Sequence, residues 1–235
     1  MAHDDERVLQ VSGLKVTLED QVVLTNLSFT VRRGEVLTIL GPNGAGKTVL
    51  LRALLGAVPY EGVIAWKQGV RMGYVPQRLP YIKNIPLSVA EFFALRQSGG
   101  LQVDKMLQAV GLGAELGARP IGDFSSGQFQ RVLIAWALAK DPDVLLFDEP
   151  TAGIDIGGEE TVYGLLSQLQ RERNLTMLLV THDLAVVHRL SSMVLCLNRH
   201  PVCMGSPLST LTPENLQRLY GTEVKFYEHQ HEQQA

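Results

Sequence analysis

Apolar and polar residues alternate along residues 7–18 (RVLQVSGLKVTL) and 22–31 (VVLTNLSFTV). A period of two marks strands with one buried face and one wet face, so an antiparallel pair is expected at the N-terminus. From EVLTIL (35–40) the pattern changes. VLLFDE (144–149), TMLLVTH (176–182) and MVLCL (193–197) are short and apolar almost throughout, as strands of a parallel sheet covered on both faces are. Helix-period stretches at about 46–57, 126–140, 158–173 and 183–191 lie between several of them. That alternation predicts an α/β core with crossover helices. Residues 78–140 are mostly helical in pattern, without a clear core strand. The expected organisation is a single domain over 1–235, with a sheet core from about 1–77 and 141–235 and an inserted helical subdomain over about 78–140.

Composition narrows the class. The chain has 235 residues, 46% hydrophobic and 19% charged, enough apolar material for a sizeable core. A formal net charge of −3 gives no basic field, so nucleic acid is not an expected partner. The opening MAHDDERVLQ lacks the basic and apolar regions of a signal peptide. No apolar run approaches the roughly 20 residues that span a bilayer, so any action at a membrane is expected to pass through a partner. The two cysteines, Cys196 and Cys203, read as the sparse usage of a reducing compartment, without a disulfide framework.

GPNGAGKT, from Gly41 to Thr48, matches the pattern G-x-x-x-x-G-K-[ST] in full, after an apolar strand and before a helical run. Gly41, Pro42, Asn43, Gly44, Ala45, Gly46, Lys47 and Thr48 are therefore assigned to a phosphate-binding loop. Its glycines allow backbone N–H groups to turn inward. Lys47 is placed for the β- and γ-phosphates, and the Thr48 hydroxyl for Mg²⁺. Asp148 and Glu149 end the apolar segment VLLFDE. In an open parallel sheet, ligands sit beyond the carboxyl ends of the strands, so this pair and the loop can share one nucleotide. Asp148 then suits Mg²⁺, and Glu149 suits polarisation of a water that attacks the γ-phosphorus. The sequence contains no Asn/Thr-Lys-x-Asp segment for reading guanine.

In order along the chain, GPNGAGKT, YVPQ, SSGQ, LLFDEP, TAGID and THD resemble the motifs of the ATP-binding subunit of an ABC transporter, over nearly the whole length. The resemblance implies a P-loop NTPase core with a mixed, largely parallel sheet, an antiparallel N-terminal β part and an inserted helical subdomain. It implies an ATP hydrolase using ATP and Mg²⁺, in which two copies pair head to tail and complete each other's sites. Ser125, Ser126, Gly127 and Gln128 (SSGQ) stand at the family's signature, which contacts the γ-phosphate held by the other copy. A Ser before a helix is also an ordinary N-cap, and one serine can serve both purposes. Gln77 (YVPQ) is similar to the family's Q-loop glutamine, near Mg²⁺ or the attacking water. His182 (THD) is similar to the switch histidine, and Asp155 (TAGID) to the D-loop aspartate that crosses the dimer interface.

Three positions depart from the family pattern. Leu18 stands where an adenine-stacking aromatic is usual, Ser126 where the signature has Gly, and Trp136 where Arg is usual, so Trp136 is expected in the core. A single free-standing domain resembles importers that have separate membrane subunits. The implied partners are a second copy, integral membrane permease subunits and an extracytoplasmic substrate-binding protein, with the chain peripheral on the cytoplasmic face of the inner or plasma membrane. GVRMGYVPQRLPYIKNIPLSVAEFF and the tail VLCLNRHPVCMGSPLSTLTPENLQRLYG resemble the group that imports zinc, manganese or iron. A soluble ATP-switched module without transport is the alternative. Residues 78–95, with Phe92, Phe93 and Leu95, are expected to dock a permease helix, to pack the subdomain, or both. Cys196, His200 and Cys203, like His229 and His231 in the tail, fall short of a four-ligand metal site and read as an apolar strand and a polar tail.

Overall fold

The computed structural model describes residues 6–77, 86–95, 102–154 and 156–221. Its N-terminal part is an antiparallel sheet of β1 (Arg7–Leu18), β2 (Gln21–Arg32) and β4 (Glu61–Trp66), in the order β2-β1-β4. The main sheet contains β3 (Val36–Leu40), β5 (Met72–Val75), β6 (Val144–Asp148), β7 (Thr176–Thr181), β8 (Met193–Asn198) and β9 (His200–Gly205), in the order β5-β6-β7-β3-β8-β9. All neighbours in it are parallel except β8 and β9. The fold is thus α/β with a mixed, largely parallel sheet.

The continuous apolar strands β6 and β7 are explained by two cores. In β6, Leu145 and Phe147 enter one core while Val144 and Leu146 enter the other. In β7, Met177 and Leu179 take the first and Leu178 and Val180 the second. Period-two geometry sends successive side chains to opposite faces, so burial of both faces demands apolar residues at every position. The second core is closed by the N-terminal sheet and by helix α1 (Lys47–Leu54), through Leu50, Leu51 and Leu54. The edge strands β4 and β9 were not visible as apolar runs, because most of their residues stay partly or fully exposed.

Between β5 and β6 the chain forms α2 (Val89–Ala94), α3 (Val103–Ala109), short 3-10 turns at Ala114–Ala118 and Ile121–Asp123, and α4 (Ser126–Leu138). Phe92 and Phe93 are buried there. Trp136 packs on Phe92 with ring centroids 5.6 Å apart. Leu95, at the end of α2, is 68% exposed. Residues 78–85, where part of the expected docking segment falls, lie outside the described residues, as do Asp155, His229 and His231. Helices α5 (Ile156–Arg173), α6 (Leu184–Leu190), α7 (Pro207–Thr210) and α8 (Pro213–Tyr220) complete the chain. Among the described residues no helix is long and apolar enough to cross a membrane.

Helix ends follow local chemistry. α1 stops sooner than the apolar pattern does, because Gly56 takes φ +69° and its N–H bonds back to Ala53. α4 stops where Asp141, at φ +47°, returns its N–H to Leu138. One expectation is corrected: Cys196 and Cys203 form a disulfide. They face each other in the β8–β9 register, with Cα atoms 4.9 Å apart. Their sequence spacing alone gave no sign of that pairing, which depends on where the chain reverses.

Candidate nucleotide site

The loop after β3 runs from Gly41 into α1. Gly44 and Gly46 hold φ +78° and +93°, a region that side chains disfavour. A Cβ on Gly46 would lie 2.5 Å from the Leu24 side chain, so substitution there meets both strain and collision. Gly46 is the N-cap of α1 and supplies no side-chain cap, and the first turn carries no acidic residue. The leading N–H groups of α1 are thus left for an anion, which the helix dipole also favours.

Lys47 is 6% exposed. Its Nζ donates to the carbonyls of Gly41 at 2.8 Å and Pro42 at 3.1 Å, and it pairs with Glu149 Oε1 at 3.4 Å. The loop is braced from behind by the turn between β8 and β9. There the Arg199 N–H donates to Ala45 O and the Arg199 carbonyl accepts from the Thr25 N–H, each at 2.9 Å. The backbone of Arg199 makes these contacts, so no side-chain motif announced them.

The ends of β5, β6 and β7 bring the other candidates to the same place. Glu149 follows β6 at φ +45°, with its N–H donating to Val180 O at 3.0 Å. A left-handed conformation at a glutamate carries modest strain, of a kind often found at functional sites. Gln77 Nε2, beyond β5, donates to Glu149 Oε2 at 3.0 Å. His182 Nδ1, beyond β7, lies 3.8 Å from the same oxygen, an ion pair when the imidazole is protonated. Lys47, Gln77 and His182 therefore meet at the Glu149 carboxylate.

Asp148 is buried at the end of β6. Thr48 Oγ1 donates to its Oδ1 at 3.0 Å, and Tyr74 Oη donates to its Oδ2 at 3.5 Å. Burial pushes the Asp148 carboxyl above its ordinary range; the Thr48 hydrogen bond pulls it down and the Glu149 charge raises it again. Burial, reinforced by the Asp148 charge, pushes the Tyr74 hydroxyl up to about 12. A buried carboxylate beside a hydroxyl is a pair of hard oxygen donors short of positive charge, which fits Mg²⁺.

Ser125 to Gln128 is organised separately. Ser125 caps α4: its Oγ accepts from the Gln128 N–H at 3.2 Å, and Gln128 Oε1 accepts from the Ser125 N–H at 3.1 Å. This reciprocal arrangement is a capping box. Phe124, buried beneath the Arg119 guanidinium at 5.5 Å, anchors the entry. Ser126 is exposed at the first turn. A Cβ on Gly127 would make only ordinary contact, 3.6 Å from Ile154. Among the described residues, no side-chain hydrogen bond or ion pair joins this segment to residues 41–48 or 148–149. Leu18 is half-buried and packs against the core beneath the N-terminal sheet.

Comparison with known proteins adds an independent finding. The family model described as ABC transporter matches residues 24–152. A zinc import ATP-binding protein ZnuC of Roseobacter denitrificans is 39% identical over 92% of this chain and 85% of that protein. The ZnuC of Cereibacter sphaeroides is 42% identical over 85% of this chain and 82% of that protein. Among solved structures, a metal-chelate type ABC transporter in an inward-facing conformation aligns with a TM-score of 0.81 at 29% identity, covering 91% of this chain and 88% of that one. The cbiO1 protein of Clostridium perfringens, part of the ABC transporter complex cbiONQ, aligns with a TM-score of 0.76 at 26% identity, covering 91% and 94%.

Proposed function

The chain belongs to the ABC transporter family and is an ATP-hydrolysing subunit of that family; from this premise we propose that it energises import of a metal ion, zinc first among candidates, through separate membrane subunits. Zinc is favoured by the two ZnuC proteins, which carry it in their names. The observation that carries the catalytic part is the meeting of Lys47, Gln77 and His182 at Glu149.

Lys47 is held by the Gly41 and Pro42 carbonyls and by Glu149. On ATP binding, Lys47 transfers to the phosphates, where Gly41 to Thr48 and the leading N–H groups of α1 receive them. Glu149 is then released to take the proton of the attacking water at its carboxylate. Gln77 and His182, already directed at Glu149, hold that water and the γ-phosphate oxygens. Thr48, Asp148 and Gln77 are the residues that would hold Mg²⁺, which when bound would supply positive charge beside the phosphates.

Two copies sandwich the nucleotide. Ser125 accepts a hydrogen bond as the cap of α4, so its own hydroxyl proton is left to donate to a phosphate oxygen of the opposite copy. Capping and phosphate binding are compatible in one residue. Ser126, Gly127 and Gln128 complete that contact, and Asp155 is assigned to the D-loop of the same interface. The helices between β5 and β6 act as the subdomain that meets the permease. The chain works at the cytoplasmic face of the membrane, with a substrate-binding protein on the outer side.

The import reading is tested in cells lacking this chain. They should stop growing under a zinc-selective chelator and recover on added Zn²⁺ but not Mn²⁺ or Fe²⁺, with zinc uptake lost. Rescue by another metal would reassign the substrate; undiminished uptake of every metal would remove the transport role.

A further inference from the structure

We propose that Tyr163 is a positioning residue for hydrolysis, whose buried hydroxyl ties the segment carrying Glu149 to the segment carrying His182. Tyr163 lies on α5 and is 2% exposed. Its Oη is 2.9 Å from Thr151 Oγ1 and 3.4 Å from Thr181 Oγ1. Thr151 belongs to the turn after Glu149, in which the Ala152 N–H bonds to Glu149 O at 3.1 Å and the Ile154 N–H to Thr151 O at 3.0 Å. Thr181 is the last residue of β7, immediately before His182. Its Oγ1 also accepts from the Asp183 N–H at 3.1 Å, and Asp183 in turn caps α6. Thr151, Tyr163, Thr181 and Asp183 thus form one connected chain beneath the site.

The neighbours of Tyr163 make the hydroxyl informative. Val162, Leu165, Leu166 and Leu169 of the same helix are apolar and buried in the same core. A Phe would fill such a place without a polar group to desolvate, and burying a hydroxyl is unfavourable unless it is bonded. Burial pushes the Tyr163 hydroxyl above its ordinary range, offset in part by its bonds to Thr151 and Thr181, so it remains an O–H at neutral pH. The parallel β6–β7 pairing and the Glu149 N–H to Val180 bond hold the two backbones only as far as the strand ends. Beyond those ends the spacing of Glu149 and His182, 3.8 Å from Oε2 to Nδ1, depends on how the two segments are joined. Tyr163 bonds to both, through Thr151 and Thr181. This inference rests on Glu149 and His182 being the hydrolytic pair.

The test is Tyr163→Phe in the purified full chain, with Glu149→Gln as control. kcat for ATP should fall on the order of tenfold while KM stays within about twofold, because positioning is lost and the phosphate loop is untouched. Thr151→Val should reproduce the loss and Thr151→Ser, which keeps the hydroxyl, should restore turnover. In the Tyr163→Phe background Thr151→Val should add little. A role confined to stability would lower the thermal midpoint and leave kcat unchanged well below it. A folded Tyr163→Phe with full kcat overturns the proposal. If Tyr163→Phe does not fold, equal kcat in Thr151→Val and Thr151→Ser overturns it. Should Glu149→Gln itself keep turning over, the catalytic assignment fails instead, whatever Tyr163→Phe does.

Discussion

Glu149 serves several groups with one carboxylate. Lys47 approaches one of its oxygens, and Gln77 and His182 the other. Replacing it with Gln keeps the shape and a partner for Gln77 but removes the charge that holds Lys47. Glu149→Gln is therefore expected to bind ATP at least as well as the parent and to hydrolyse it about 10²–10⁴-fold more slowly, the usual worth of a positioned base. Calorimetry with ATP and a phosphate-release assay on the same preparation check both halves. Asp148 illustrates the opposite balance. Its carboxyl is raised above the ordinary range, chiefly by burial, so in the window between its unfolded and folded values the folded chain binds the extra proton. Stability is lost as pH rises through that window, and at neutral pH the ionised, buried group is a liability until a cation joins it. Asp148→Asn should raise the melting temperature of the nucleotide-free protein at pH 7. The gain should vanish as pH falls below the ordinary carboxylate range, and Mg²⁺-dependent hydrolysis should be lost. A melting series across pH, with a parallel ATPase assay, would show it.

At the scale of elements, the start of α4 caps its helix and is proposed to meet the opposite copy's phosphate, two duties that mutation can separate. Ser125→Ala removes the accepting oxygen of the capping box and should lower stability by about 1 kcal/mol. Gly127 has room for a side chain within its own chain and is not in a left-handed conformation. Gly127→Asp is thus expected to fold and to bind ATP through the separate loop at Gly41 to Thr48. It adds a negative charge where, in the proposed dimer, the opposite copy would present a phosphate. In the Glu149→Gln background, sedimentation with ATP should find dimers for Gly127 and monomers for Gly127→Asp. Equal dimer populations would leave this stretch as a helix cap alone.

For the whole molecule, the helical segment between β5 and β6 divides its apolar residues between inside and outside. Phe92 and Phe93 are buried, and Phe92 meets Trp136, which joins the core as its position suggested. Leu95 has no such place and stays exposed at the end of α2. The proposed docking contact with a permease is therefore assigned to Leu95 rather than to the two buried aromatics. Leu95→Asp should leave the melting temperature and the ATPase activity of the isolated chain unchanged while weakening co-purification with the membrane subunits. Phe93→Ala should instead destabilise the chain by about 3–5 kcal/mol, as loss of a buried ring does, and thermal melting distinguishes the two.

The amino-acid sequence alone determined the features governed by near neighbours. Alternation marked β1 and β2, unbroken apolar runs marked β3, β6, β7 and β8, and GPNGAGKT placed the phosphate loop between a strand and a helix. Ser125 before α4 was readable as a cap because capping spans only three residues. The tertiary structure alone decided what those pieces touch. Gln77, Glu149 and His182 meet because β5, β6 and β7 are adjacent in the sheet, and strand order is set by how crossovers pack rather than by any local pattern. The same applies to the Cys196–Cys203 disulfide, made by the register of a hairpin whose outer strand has no apolar signature. It applies equally to Tyr163, which reads as one more core residue of α5 until the fold sets its hydroxyl between Thr151 and Thr181. Periodicity reports whether a side chain is buried; only the packed chain specifies its partners, because those contacts join residues far apart in sequence.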